Sequence, residues 1–146
     1  MKYQQGNIGR VFLARTEHGE NPLDEIKALA CKERIRVAVF FVLGALQSGS
    51  AVTGPREVAL PPVPHWFQFE DGREVVGMGT ILFDGDEPIL HLHAALGREE
   101  KAVVCCLREA AEVFITLEVV ILELCGINAL RELDPLSGQR VIRLSS

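Results

Sequence analysis

Two apolar runs constrain this chain more than any other feature of it: Arg36–Leu43 (RVAVFFVL) and Val113–Leu124 (VFITLEVVILEL). Both are rich in β-branched and aromatic residues, which suit a pleated, buried surface. Neither alternates polar with apolar residues, as a strand with one wet face does. The first reads as a strand buried on both faces. The longest apolar stretch, Val37–Leu46, is interrupted by Gly44 and is too short for a membrane-spanning helix.

The remaining segments fall around these runs. Gly9–Thr16 reads as a first strand. Asn21 suits a helix N-cap, Pro22 the first helical position, and Asp24 and Glu25 the first turn. Leu23, Ile26, Leu29 and Ala30 then share a helical face, so the spacing predicts a helix over Pro22–Glu33. Four prolines within residues 51–64 make that stretch loop and edge strand. His65–Phe69, Arg73–Phe83, Ile89–Ala95, Lys101–Leu107 and Val113–Leu124 read as strands, divided by turn-forming DG, DGDEP and GREE segments. The tail adds a turn at Asp134–Gly138 and a short last strand.

One early helix followed by consecutive strands indicates an α+β domain on an antiparallel or mixed sheet. A length of 146 residues predicts a single domain, 1–146. Hydrophobic residues at 48% and charged residues at 24% exclude wholesale disorder. The start, MKYQQGNIGR, has no apolar leader, so a cytoplasmic location is expected, with no membrane partner. The four cysteines (Cys31, Cys105, Cys106 and Cys125) do not form a disulfide framework. They read as buried thiols or metal ligands of a reducing compartment.

The chemistry gathers in ILHLHAALGREEKAVVCCL. His91 and His93 lie two apart on a strand, so both imidazoles point to one side. The next strand returns through a short turn, and there Cys106 and Arg108 share one face while Cys105 takes the other. A paired hairpin brings Cys106 toward the histidines, and a thiolate beside two imidazoles suits zinc. The same residues also fit a bland reading, as hydrogen-bonded or core side chains. Glu118 is costly to bury unpaired among Leu117, Val119 and Val120. It is therefore expected in a cleft or at a subunit boundary. Gly77 and Gly79, inside a strand, suggest close backbone approach or a bulge.

The order of GRVFLARTEHGENPLDEIKALACKERIR, a Gly44-centred loop, REVVGMGTI, EPILHLHAALG, AVVCCL and LEVVILEL resembles the PPC (plants and prokaryotes conserved) domain over residues 8–126. Residues 127–146 then form a C-terminal extension. The resemblance implies a compact domain that forms homotrimers. In plants the domain is joined to AT-hooks that bind A/T-rich DNA, and prokaryotic members are described as DNA-binding proteins. Some members hold zinc with three histidines, the third in a Gly-Gly-His-Leu segment. Here Val104-Cys105-Cys106-Leu107 stands in that place, so the implied metal ligands are His91, His93 and Cys106. A related group carries a pair like His65-Trp66, which makes His65 a further ligand candidate.

Two functions follow. One is a zinc-binding homotrimeric module with a DNA-associated regulatory role. Its DNA-contacting residues are not identifiable, because the net charge is −5 and Gly54-Pro55-Arg56 only superficially echoes an AT-hook. Lys32, Arg34 and Arg36 are the one local basic cluster, and Glu33 interrupts it. The other is a zinc-dependent lyase or hydrolase acting on a small carboxylate. There Arg108 would hold the carboxylate and Glu118 would act as general base. The hairpin site is similar to that of acetolactate decarboxylase, whose fold the resemblance implies to be related.

Overall fold

The computed structural model describes residues 1–145, the side chain of Glu109 excepted. Its elements run β1 (Asn7–Glu17), α1 (Pro22–Glu33), β2 (Ala38–Pro55), β3 (Pro64–Phe69), β4 (Arg73–Asp84), β5 (Glu87–Arg98), β6 (Lys101–Cys125), β7 (Ala129–Leu133) and β8 (Arg140–Leu144). The domain is mostly sheet with one short helix.

The sheet closes on itself. β2 pairs with β6, β6 with β5, β5 with β4, and β4 with β2, all antiparallel. β1 adds to β6, and β3 to the end of β2. The β7–β8 hairpin joins β4 through one parallel bridge, Phe83–Leu130. β2 and β6 are long enough to enter the ring twice. Ala38–Leu46 lies between β4 and the far half of β6, and Gly49–Val52 between β3 and the near half. Their ribbon therefore has to bend. Gly44 sits at the bend, where a Cβ would meet the Thr116 carbonyl oxygen at 2.5 Å. Opposite it, Ile115 takes the left-handed backbone at φ 63.

The ring's interior is filled by Phe40, Leu46, Ile81, Leu92, Leu96 and Leu117, all essentially inaccessible to solvent. Gly79 provides the close approach that its strand position suggested. A Cβ there would stand 2.4 Å from the Phe40 ring. α1 covers β5 and β6 with Leu23, Ile26 and Ala30. It begins where Asn21 accepts from the Leu23 N–H at 3.0 Å and ends at Arg34, whose left-handed backbone donates to the Ala30 and Cys31 carbonyls.

Four expectations are corrected. β6 is one strand of 25 residues rather than two, because Leu107, Ala111 and Glu112 stay paired to β2 through the polar REAAE stretch. β2 continues through the expected loop as far as Pro55, leaving β3 as the edge strand. Cys31 and Cys125 are exposed; Cys31 stands one position past buried Ala30, off the helix's apolar face. The Arg36–Leu43 run is buried on one face only. Phe41 and Leu43 lie bare, with Leu13 on β1 and Val76 and Met78 on β4 beside them. Among the described residues no helix is long and apolar enough to cross a membrane.

Candidate metal centre

β5 sends Leu92, Ala94 and Leu96 inward, so His91 and His93 must point outward. The β5–β6 register sets His93 beside Cys106 and Ala94 beside Cys105. Adjacent cysteines thus take opposite fates. Cys105 enters the core, 3.7 Å from the Ala94 carbonyl, and burial pushes its thiol up to about 11. Cys106 turns to the histidines.

The ligand atoms of His91, His93 and Cys106 all lie within 4.8 Å of one another, and the two Nε2 atoms are 3.2 Å apart. Tetrahedral zinc with bonds of about 2.0–2.3 Å separates its ligand atoms by roughly 3.3–3.8 Å. The donor set suits such an ion, and a span of up to 4.8 Å would have to close by about 1 Å to hold it. Two protein imidazoles, one thiolate and an open fourth position would give a Lewis-acidic site.

Electrostatics around the cluster are positive. Burial first, then Arg131, His93 and Arg108, lower the His91 pKa to about 4. The ring is therefore neutral near pH 7, as a metal ligand must be. Burial raises the Cys106 thiol, and Arg108 and Arg131 oppose the rise. Arg131 Nη2 lies 3.3 Å from His91 Nδ1. A guanidinium only donates, so Nδ1 accepts and the ring proton sits on Nε2, facing His93. Metal on Nε2 would require that proton on Nδ1 and would release Arg131.

The other expected residues are placed differently. Arg108 lines the same cleft. His65 is exposed on β3, its Nδ1 2.9 Å from Thr53 Oγ1, and it is not among the converging ligand atoms. Glu118 is exposed on the outer face of β6, between Arg15 of β1 and Leu43 of β2. From there to β5 is three strand spacings, roughly 14 Å. Within one chain the structure does not bring Glu118 to the histidines. The residue missed in the sequence is Arg131 on β7, only 9% exposed. Its one signal was an arginine alternating with apolar residues in Ala129–Leu133.

No curated protein matches the sequence. Among solved structures, a metal-containing protein from Archaeoglobus fulgidus superposes with a TM-score of 0.85 at 21% identity, covering 98% of this chain and 99% of that one. A plant- and prokaryote-conserved (PPC) protein from Pyrococcus horikoshii gives 0.80 at 24%, covering 99% and 100%. A candidate DNA-binding protein from Ralstonia eutropha gives 0.73 at 19%, covering 91% and 90%. At these identities the likeness shows a shared fold. The sequence model of one family matches residues 3–125, which include the β5–β6 hairpin and every ligand of the cluster. The chain belongs to the Plants and Prokaryotes Conserved (PCC, or PPC) domain family.

Proposed function

We propose that this PPC chain is a homotrimeric, zinc-binding module of the cytoplasm with a DNA-associated regulatory role. The observation that carries the metal reading is the convergence of His91, His93 and Cys106 within 4.8 Å. Two imidazoles and a thiolate favour zinc over magnesium or calcium, which take oxygen ligands. The four free thiols suit a reducing compartment.

The trimer is supported by the bare outer face. Phe41 is 41% exposed, Leu43 58%, Met78 59% and Leu13 78%, on neighbouring strands. A contiguous apolar patch of this kind on a soluble domain marks an interaction surface. Copies of the same chain are its proposed occupants, which would bury the second face of the Arg36–Leu43 run.

The DNA role rests on the relative described as a candidate DNA-binding protein. With 15 Lys and Arg against 20 Asp and Glu, the chain would act through a local patch or a DNA-bound partner. A second reading, a zinc-dependent lyase or hydrolase of a small carboxylate, is favoured by Arg108 in the cleft beside Cys106.

Three measurements test the proposal. Elemental analysis of protein purified without chelator should return one zinc per chain, and none would end the metal reading. Light scattering should give three times 16.1 kDa. An A/T-rich duplex should be retarded at low salt, and free mobility at every salt concentration would remove direct DNA contact.

A further inference from the structure

Two arginines stand at the candidate metal centre without a counter-charge. Arg131 donates to the Arg140 carbonyl at 3.0 Å, to Thr80 Oγ1 at 2.9 Å and to His91 Nδ1 at 3.3 Å. These acceptors are all neutral. The Nε of Arg131 is buried and has no partner, and the Nε of Arg108 is in the same condition. Among the described residues neither arginine is ion-paired. Asp84 of β4 is taken by Arg140, which lines the same cleft. A guanidinium cannot shed its proton, so the charge persists at any ordinary pH. Uncompensated, a shielded cation and an orphaned N–H are both costly.

Both arginines line one cleft of about 570 Å³, together with His91 and, from the β7–β8 hairpin, Gln139 and Arg140. A neighbouring cleft of about 520 Å³ shares His91 and Arg108 and adds Cys106 and Lys27. Its one acid, Asp24, belongs to no ion pair among the described residues. A divalent ion on two neutral imidazoles and one thiolate would retain a net positive charge. Metal loading would also free the Arg131 donor now spent on His91. Among the described residues, the cleft that holds both arginines is lined by no acid, and metal loading would add positive charge.

We infer that the cleft between β5, β6 and the β7–β8 hairpin binds a small oxyanion, a carboxylate or a phosphate, held by Arg108 and Arg131 at the edge of the His91–His93–Cys106 cluster. Delocalised oxyanions match the guanidinium fork. Volumes of this size suit a small molecule. The hairpin lies outside the matched residues 3–125, so the site depends on a segment that the family pattern does not describe. The inference rests on the location proposed for the metal centre and does not require the metal itself.

The test is calorimetric titration of the full chain, zinc-free and zinc-loaded, with sodium succinate and separately with inorganic phosphate at low ionic strength. One of the two anions should bind once per chain, and the responding arm identifies the chemistry. Arg131→Gln and Arg108→Gln should each weaken it about tenfold or more. Arg15→Gln, on β1 and paired with Glu17, lines neither cleft and should leave it unchanged. Circular dichroism checks folding; if Arg131→Gln unfolds, the less buried Arg108 carries the test. Wild-type protein that binds neither anion, or both glutamine variants binding within twofold of wild type, overturns the inference. So does tight binding of duplex DNA, lost in both variants, with no response to either anion. A His93→Ala chain that holds no zinc but still binds the anion upholds it. A chain that holds zinc and no anion overturns it and leaves the metal reading standing.

Discussion

Two clefts of nearly equal size sit at different ends of the β4–β5 hairpin, and their arginines are handled in opposite ways. At one end, a cleft of about 530 Å³ is lined by Glu70, Asp71, Arg73, Glu74, Arg98 and others. Arg73 grips Asp71 with both ends of its fork, at 2.8 and 2.7 Å. Its guanidinium also lies 5.1 and 5.5 Å from the rings of Phe67 and Phe69. Arg98 completes the group, 3.8 Å from the same carboxylate. At the other end, among the described residues, neither Arg108 nor Arg131 is ion-paired, and each has a buried Nε without a partner. The first set is closed within the chain and fastens β3 to β4. The second is open, and what it lacks has to come from outside.

The largest expected effect concerns the ion itself. His91→Ala/His93→Ala should take zinc from one equivalent per chain to none, because one thiol alone does not hold it. Asp71→Asn/Arg98→Gln, at the closed cleft, should still carry one equivalent. Elemental analysis of the two proteins decides the matter; equal metal in both would erase the distinction between the clefts.

Stability should divide them next. Arg73→Met removes a bidentate ion pair and two ring contacts from a largely buried side chain. A loss of about 2 kcal/mol is expected. That is a fall in Tm of roughly 4–8 °C for a chain of this length. Arg108→Met removes a shielded cation together with its orphaned N–H. In metal-free protein it should change stability by less than about 1 kcal/mol, or raise it. Thermal melts in a chelating buffer compare the two. A fall at Arg108 as large as at Arg73 would mean that the open cleft is structural too.

The open cleft's ligands on β5 and β6 were legible in the sequence, whereas the Asp71, Arg73 and Arg98 group of the closed cleft was not. Helix α1 was readable at its start because Asn21, Pro22 and the acidic first turn are local signals. Likewise the H-x-H spacing and the two-residue turn before β6 set which side His91, His93 and Cys106 share, since a strand's period is fixed. The unity of β6 was not legible. REAAE has no strand preference of its own, and only pairing with Ala51, Gly49 and Ser48 keeps it extended. Arg131 was hidden for a similar reason. Its importance arises from a parallel bridge between Phe83 and Leu130, a contact between distant segments that no local pattern announces. The bare outer face was not legible: RVAVFFVL reads as a strand covered on both sides, and the chain covers only one.

The smallest expected effect separates the clefts by pH. Folded His91 is held near 4, below its ordinary 6.5, by burial and then by Arg131, His93 and Arg108. Between those values the unfolded imidazole takes a proton that the folded one refuses. Since the unfolded chain binds more protons there, stability falls as pH drops from about 6.5 to about 4 and is intact above that window. Asp71 is also held below its ordinary 3.8, chiefly by its hydrogen bonds with Arg73. Its contribution is present above 3.8 and is lost only as pH falls further. The two clefts thus titrate in separate windows. His91→Gln, whose amide oxygen can still accept from Arg131, should flatten the first window and spare the second; Asp71→Asn should do the reverse. The imidazole is partly open to solvent, so screening limits the first effect to about 1 kcal/mol or less. Urea midpoints of metal-free protein at half-unit steps from pH 7 to 3 resolve it. A His91→Gln profile that follows wild type between 6.5 and 4 would show that the open cleft does not hold this imidazole neutral, and would remove the electrostatic contrast between the two ends of the hairpin.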